Sequence, residues 1–314
     1  MRRRTLLSVA AVAAAIGVFA VVGLSSGHKA LAAAVTPNWG LAALSLLVAA
    51  SVQPFRAIAW STTLRSPVGF RAIYCSSSVG SLLDTLLPGR LGEASKAAVL
   101  RVAARDRWPG FPRAAGSLCC SHLLEACAFT VVGAAAAPFL PLPNWARIGL
   151  AAGCVLSLAA IAVAGTVHRK LGHRMPRALD RFLAAAWAPP RVLAQAGAIL
   201  LATWVVRLVA IMLMLHSLGI QASLGVTLVY MIVTGLANAA PILPGNAGVY
   251  QGAAIGALAM AGVSGSSAAA VALVAPVYDT AGCAIAAAAG LALYGRRFAE
   301  MTRAALLRPE PLPA

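Results

Sequence analysis

Acidic residues are scarce in this 314-residue chain: there are eight Asp and Glu, and charged residues of both signs make up only 11%. A water-soluble domain carries about a quarter charged residues, so the chain lacks the polar surface that a soluble fold of its size needs. A secreted globular enzyme and a disordered regulator are thereby excluded. The six cysteines, Cys75, Cys119, Cys120, Cys127, Cys154 and Cys283, include no C-x-x-C pair and have no histidine at ligand spacing, which leaves neither a disulfide framework nor a metal site to expect. They read as small packing residues in helices. Also missing are H-E-x-x-H, G-x-S-x-G, a Walker A loop and a G-x-G-x-x-G after a strand. No stretch is polar enough to form an ATP-binding domain, which argues against a primary pump.

What the chain does have is apolar sequence. Hydrophobic residues make up 61% and the mean hydropathy is +0.85, the composition of an integral membrane protein. The 25 Lys and Arg give a net charge of +17. Such a charge on a soluble protein would suggest nucleic acid, but here the basic residues lie between apolar segments. In that position they orient helices by the positive-inside rule and attract anionic headgroups, and no nucleic-acid partner is expected.

A pass along the chain gives six full spans and two interrupted ones. Arg2-Arg3-Arg4 leads into an apolar run ending at Leu24. The alanines at 30–34 resemble a signal-peptidase site, but the apolar core of a cleaved signal is only ~7–15 residues, so an uncleaved span entering from a cytoplasmic N-terminus is the expectation. Residues 39–59 form the second span, ending near Arg56, Arg65 and Arg71. Residues 72–100 lie between two basic, cytoplasmic segments, and a full crossing takes ~20 helical residues. They are therefore too few to cross twice, and they read as a re-entrant hairpin with Pro88-Gly89 at its tip. Broken backbone at that depth needs protein or a water-filled cavity around it. Full spans follow at 115–137, 145–167 and 192–215. Between the last two, Arg174, Arg177 and Arg181 oppose Leu179, Phe182, Leu183 and Trp187, as in a helix lying on the inner leaflet. Residues 223–240 re-enter, break at Pro241-Ile242-Leu243-Pro244-Gly245, and resume over 248–260. Residues 266–294 form the last span. On this topology Lys29 and Arg147 fall outside, Arg90, Lys96 and Arg207 lie within the membrane, and the other basic residues face the cytoplasm. The expectation is one all-α polytopic domain over 1–307, with both termini cytoplasmic and a disordered tail at 308–314.

The two breaks share a pattern. Leu87-Pro88-Gly89-Arg90-Leu91-Gly92 and Leu243-Pro244-Gly245-Asn246-Ala247-Gly248 both read L-P-G-x-x-G, which raises the expectation of an inverted repeat. Paired Pro/Gly-interrupted segments point to a transporter-type site near the midplane, because each break exposes a half-helix N-terminus whose free N–H groups attract anions. Ionised side chains at bilayer depth are costly and so mark functional sites by default. Arg90, Glu93 and Lys96, spaced i, i+3, i+6, either hold a phosphate and a cation or proton, or form a self-neutralising cluster at the headgroup level. His122 and Glu125, one turn apart, either relay a proton or hydrogen-bond within the bundle. Arg207 needs a partner, and Asp279 is the natural one.

Leu87-Pro88-Gly89-Arg90-Leu91-Gly92-Glu93-Ala94-Ser95-Lys96 resembles the P-x-R-x-G-E-x-x-R/K signature of the lysylphosphatidylglycerol synthase transmembrane-region, or flippase-like, family. Pro241-Ile242-Leu243-Pro244-Gly245-Asn246-Ala247-Gly248-Val249 is similar to that family's P-x-x-P-G-G-x-G-V motif. The resemblance implies lipid handling: members move aminoacylated phosphatidylglycerol between leaflets or assist steps that use lipid-linked sugars. It implies no lipid synthesis, which resides in a soluble domain that these residues do not contain. There are departures: Gln251 stands near the place of a family Glu, and Ala126 and Phe129 replace the Arg and Asp of an E-R-x-x-D element beginning at Glu125. The reading is a prokaryotic plasma-membrane protein, not an enzyme and needing no cofactor or metal. It binds and translocates an anionic or zwitterionic lipid headgroup through Pro88, Gly89, Arg90, Gly92, Glu93, Lys96, Pro244, Gly245, Asn246 and Gly248, with His122, Glu125, Arg207 and Asp279 as a charge relay or buried pairs. An accessory subunit for an envelope-biosynthesis enzyme is the alternative, and an intramembrane enzyme using His122 and Glu125 lacks a nucleophile beside them.

Overall fold

Long apolar stretches of alanine, leucine and valine make helix the only backbone state that satisfies its own N–H and C=O groups in lipid, and helix is what forms. The computed structural model describes residues 37–86, 91–104, 107–238 and 248–294. Ten α-helices run through them: α1 Trp39–Leu64, α2 Phe70–Leu86, α3 Leu91–Ala104, α4 Phe111–Ala136, α5 Asn144–Leu171, α6 Arg177–Ala186, α7 Pro190–Ser217, α8 Leu224–Asn238, α9 Val249–Met260 and α10 Gly265–Tyr294. Five of these stretches, α1, α4 with its 3₁₀ extension to Phe139, α5, α7 and α10, are long and apolar enough to cross a bilayer. They coincide with five of the six spans expected from sequence; the first span lies outside the described residues. The chain is an all-α polytopic membrane protein.

The order of lengths repeats. α1 to α4 run 26, 17, 14 and 26 residues, and α7 to α10 run 28, 15, 12 and 30. Long, short, short, long thus occurs twice, with α5 and α6 between. In each set the two short helices flank one of the L-P-G-x-x-G breaks. α1 packs along α7, its counterpart, and α10 packs on both α2 and α9. Three clusters of buried side chains fill the bundle: one around Leu124, Phe129, Leu150, Leu200 and Ile232, one around Leu215, Tyr230, Leu258 and Val271, and one around Trp60, Leu64, Ile73 and Leu100.

Small residues let the first hairpin close. A Cβ on Gly92 would fall inside the Asp84 backbone, and one on Gly80 would collide with the Lys96 side chain and sit 3.1 Å from the Gly92 carbonyl oxygen. Close backbone approach through small residues is the usual means of helix association in lipid. Gly92→Val should therefore wedge α2 from α3 and cost about 1–3 kcal/mol, read as a lower melting temperature of the purified protein. An unchanged melting temperature would mean that the two arms do not touch.

The rim expected to be cytoplasmic departs from the sequence reading. Arg174 lies in a 3₁₀ turn outside α6, not on one helix with Arg177 and Arg181. Leu179, expected on the apolar face, is exposed. α6 packs against α4 through Gly116, where a Cβ would strike the Phe182 carbonyl. α1 also runs five residues beyond the expected end at Ala59, to Leu64. Its C-cap, Arg65, adopts left-handed backbone (φ 47, ψ 46).

Candidate functional site

Five ionisable side chains form a line through the middle of the first set of helices. Lys96 and Glu93 are one turn apart on α3, and Lys96 Nζ donates to Glu93 Oε1 at 2.6 Å. With the Lys96 residue only 5% exposed, its ammonium has little water to solvate it, and the carboxylate takes that role. The other Glu93 oxygen, Oε2, lies 2.5 Å from His122 Nε2 on α4. A carboxylate only accepts, so the His122 proton sits on Nε2. The second ring nitrogen, Nδ1, lies 3.8 Å from Glu125 Oε2. Glu125 in turn accepts from Arg56 of α1, whose Nε is 2.9 Å from Oε1 and whose Nη2 reaches the same oxygen.

The line therefore reads Lys96, Glu93, His122, Glu125, Arg56: a cation at each end and two carboxylates flanking one imidazole. The ring thus stands between the two carboxylates, while the end cations hold both in place. Elements α1, α3 and α4 each supply at least one member, and α3 begins directly after the first break.

A second pair lies apart from this line. Arg207 of α7 and Asp279 of α10 stand 3.9 Å apart, and the Arg207 guanidinium lies over the Trp204 ring at 5.3 Å. Trp204 connects the two groups, because its indole N–H donates to the backbone carbonyl of Glu125 at 3.2 Å. In the second hairpin, Tyr230 of α8 and Tyr250 of α9 share a hydrogen bond of 2.8 Å. Gly248 has φ +85 at the start of α9, and its N–H donates to Gln251 Oε1 at 2.5 Å.

The sequence-derived residues therefore divide into three. Glu93 and Lys96 join His122 and Glu125 in the line, while Gly92 packs on Asp84. Arg207 and Asp279 meet each other, and Gly248 caps α9. Pro88, Gly89, Arg90, Pro244, Gly245 and Asn246 lie outside the described residues. One correction follows: Arg56, assigned to the cytoplasm, is eight residues inside the end of α1 and holds Glu125. The expected pair of His122 and Glu125 forms at 3.8 Å, and His122 makes a closer contact with Glu93.

Reasoning from the sequence missed Arg56, Trp204 and the Gln53–Ser81 contact. In that contact the Ser81 hydroxyl donates to the buried Gln53 at 3.3 Å. The signal for Arg56 was present: Ile58-Ala59-Trp60 continues the apolar run past it, so the helix cannot end there. The departures from the family pattern also gain a local reason. Ala126 supplies no guanidinium beside Glu125, and Arg56 supplies one from another helix. Phe129 packs at a tilt on Trp204, with ring centroids 4.8 Å apart, and the neutral Gln251 does the capping that a Glu would do. Cys127 of α4 and Cys154 of α5 bring their sulfurs to 3.6 Å, but all the described cysteines are free thiols. No group of three metal-ligating side chains occurs among the described residues.

Fold and site define a polytopic helical membrane protein with a chain of ion pairs beside a broken hairpin. A family model, lysylphosphatidylglycerol synthase TM region, matches residues 6–287. The chain belongs to that family and is thus an integral membrane protein of lipid-related envelope synthesis. No curated protein and no solved structure matches it.

Proposed function

We propose that this protein translocates a phospholipid or lipid-linked headgroup across a prokaryotic plasma membrane, making and breaking no covalent bond. The observation that carries this reading is the line Lys96, Glu93, His122, Glu125, Arg56 between helices of a lipid-embedded bundle. Ionised groups at that depth cost at least ~2.5–3.5 kcal/mol each, and a purely structural role would be filled as well by apolar side chains. A lipid phosphate entering the bundle would compete with the carboxylates for Lys96 and Arg56. Arg90 and the N–H groups exposed at the two breaks are the groups proposed to receive the phosphate first. On the orientation set by the basic residues, the first break opens to the cytoplasm and the second to the outside, as alternating access requires.

The test is transport. In vesicles containing fluorescent phosphatidylglycerol, the reconstituted protein should speed loss of the label from the sealed leaflet relative to protein-free vesicles, and Arg90→Ala should remove most of the gain. Equal rates with and without protein would end the translocation reading. Equal rates together with co-purification of a glycosyltransferase would favour an accessory subunit instead.

A further inference from the structure

The rim where α1, α4, α5 and α6 meet carries a feature that the translocation reading does not use. A cleft of about 500 Å³ opens there, lined by Arg65, Pro109, Arg113, His168, Arg181, Ala184, Ala185 and Trp187. Three of its lining residues are arginines, and no acidic side chain lines it among the described residues. Asp180, on α6 with Arg181, is already engaged: its Oδ1 lies 2.7 Å from His168 Nδ1.

Two of the three arginines are fixed by neutral partners. Arg65 Nη2 donates to the carbonyls of Ala184 and Trp187, both at 2.7 Å, and Arg113 Nη2 donates to the carbonyl of Arg65. Carbonyl oxygens orient a guanidinium but do not cancel its charge. The two are close enough to repel, and partial burial together with Arg113 draws the Arg65 guanidinium below its ordinary range. The third, Arg181, makes no hydrogen bond or ion pair among the described residues. Trp187 packs closely into the wall of the cleft: its ring lies where a Cβ on Gly165 would be, and the Arg169 guanidinium lies over it at 5.7 Å.

We infer that this cleft is an anion site for a phosphate group, held by Arg65, Arg113 and Arg181. Guanidinium forks match phosphate oxygens in geometry and charge, and prepositioned like charges favour a polyanion over a single carboxylate. Like the other basic residues that set the orientation, the arginines lie on the side read as cytoplasmic. There the phosphate belongs either to an inner-leaflet lipid or to a soluble phosphorylated molecule. The inference is independent of translocation, because no member of the buried ion line contributes to the cleft.

The experiment uses the full-length protein in phosphatidylcholine nanodiscs. Radiolabelled inorganic pyrophosphate is the soluble probe, and phosphatidylglycerol added to the discs is the lipid probe, with retained lipid quantified by mass spectrometry after detergent extraction. Arg181→Ala is the main variant, since the exposed Arg181 makes no hydrogen bond or ion pair among the described residues. Arg181→Lys is the charge-retaining control. Losing one charge-assisted contact should weaken binding at least about tenfold, with lysine restoring part of it. Pyrophosphate binding that depends on Arg181 identifies a soluble ligand, and phosphatidylglycerol retention that depends on Arg181 identifies a lipid. The inference is overturned if neither probe binds, or if both bind the wild type and Arg181→Ala equally.

Discussion

Glu125→Leu, made with Arg56 in place, should lower the stability of the purified protein by about 3 kcal/mol, because it strands a guanidinium between helices without its counter-charge. Arg56→Leu should do comparable harm from the other side, leaving a carboxylate that is only 12% exposed. The double variant Arg56→Leu/Glu125→Leu should recover most of the loss, since the cost lies in the orphaned charge and not in the missing attraction. Thermal unfolding of the four proteins in one detergent closes the cycle. A double variant as unstable as the sum of the singles would show that the two groups do not act on each other. The recovered variant should nonetheless fail to move lipid, which separates the pair's contribution to folding from its proposed contribution to transport.

The second large effect is expected at Glu93. Glu93→Gln keeps the size of the side chain and one acceptor oxygen, but removes the charge shared by Lys96 and His122. Translocation should fall at least about tenfold, equivalent to ~1.4 kcal/mol in barrier height, while Glu93→Asp retains part of the rate. Some stability will be lost as well, because Lys96 has little access to water. The informative quantity is therefore the rate per folded molecule, and the useful comparison is Glu93→Gln/Lys96→Met. That double variant removes both charges and should fold about as well as the wild type while remaining inactive. Wild-type transport by it would assign the line of ion pairs to structure alone.

Much of the architecture was legible in the sequence because hydropathy acts residue by residue. Runs such as 145–167 and 192–215 can only be spans, and the short distance between the basic segments flanking 72–100 forces a hairpin. The boundaries were less accurate where polar residues sit inside helices. Arg56 looked like a span end, yet the helix carries it inward because Glu125, 69 residues later, neutralises it. Long-range pairing of that kind leaves no local mark. The same reason explains His122: its spacing from Glu125 on α4 was visible, but the closer contact with Glu93 comes from how α3 packs on α4. Arg207 and Asp279 were paired correctly because few other intramembrane charges were left to choose from. The basic cleft was not foreseen, since its three arginines come from the C-cap of α1 and from α4 and α6, and each looked like an ordinary cytoplasmic arginine.

Arg65 shows how side-chain and backbone preferences can oppose each other. A left-handed residue closing a helix is usually glycine, and any other L-residue gives up roughly 1–2 kcal/mol in that conformation. Here the guanidinium offsets the penalty by riveting the end of α1 to two carbonyls at the end of α6. Glycine at this position would be the better choice for the turn and the worse one for the molecule: the loop would relax while the amphipathic helix beside it came loose.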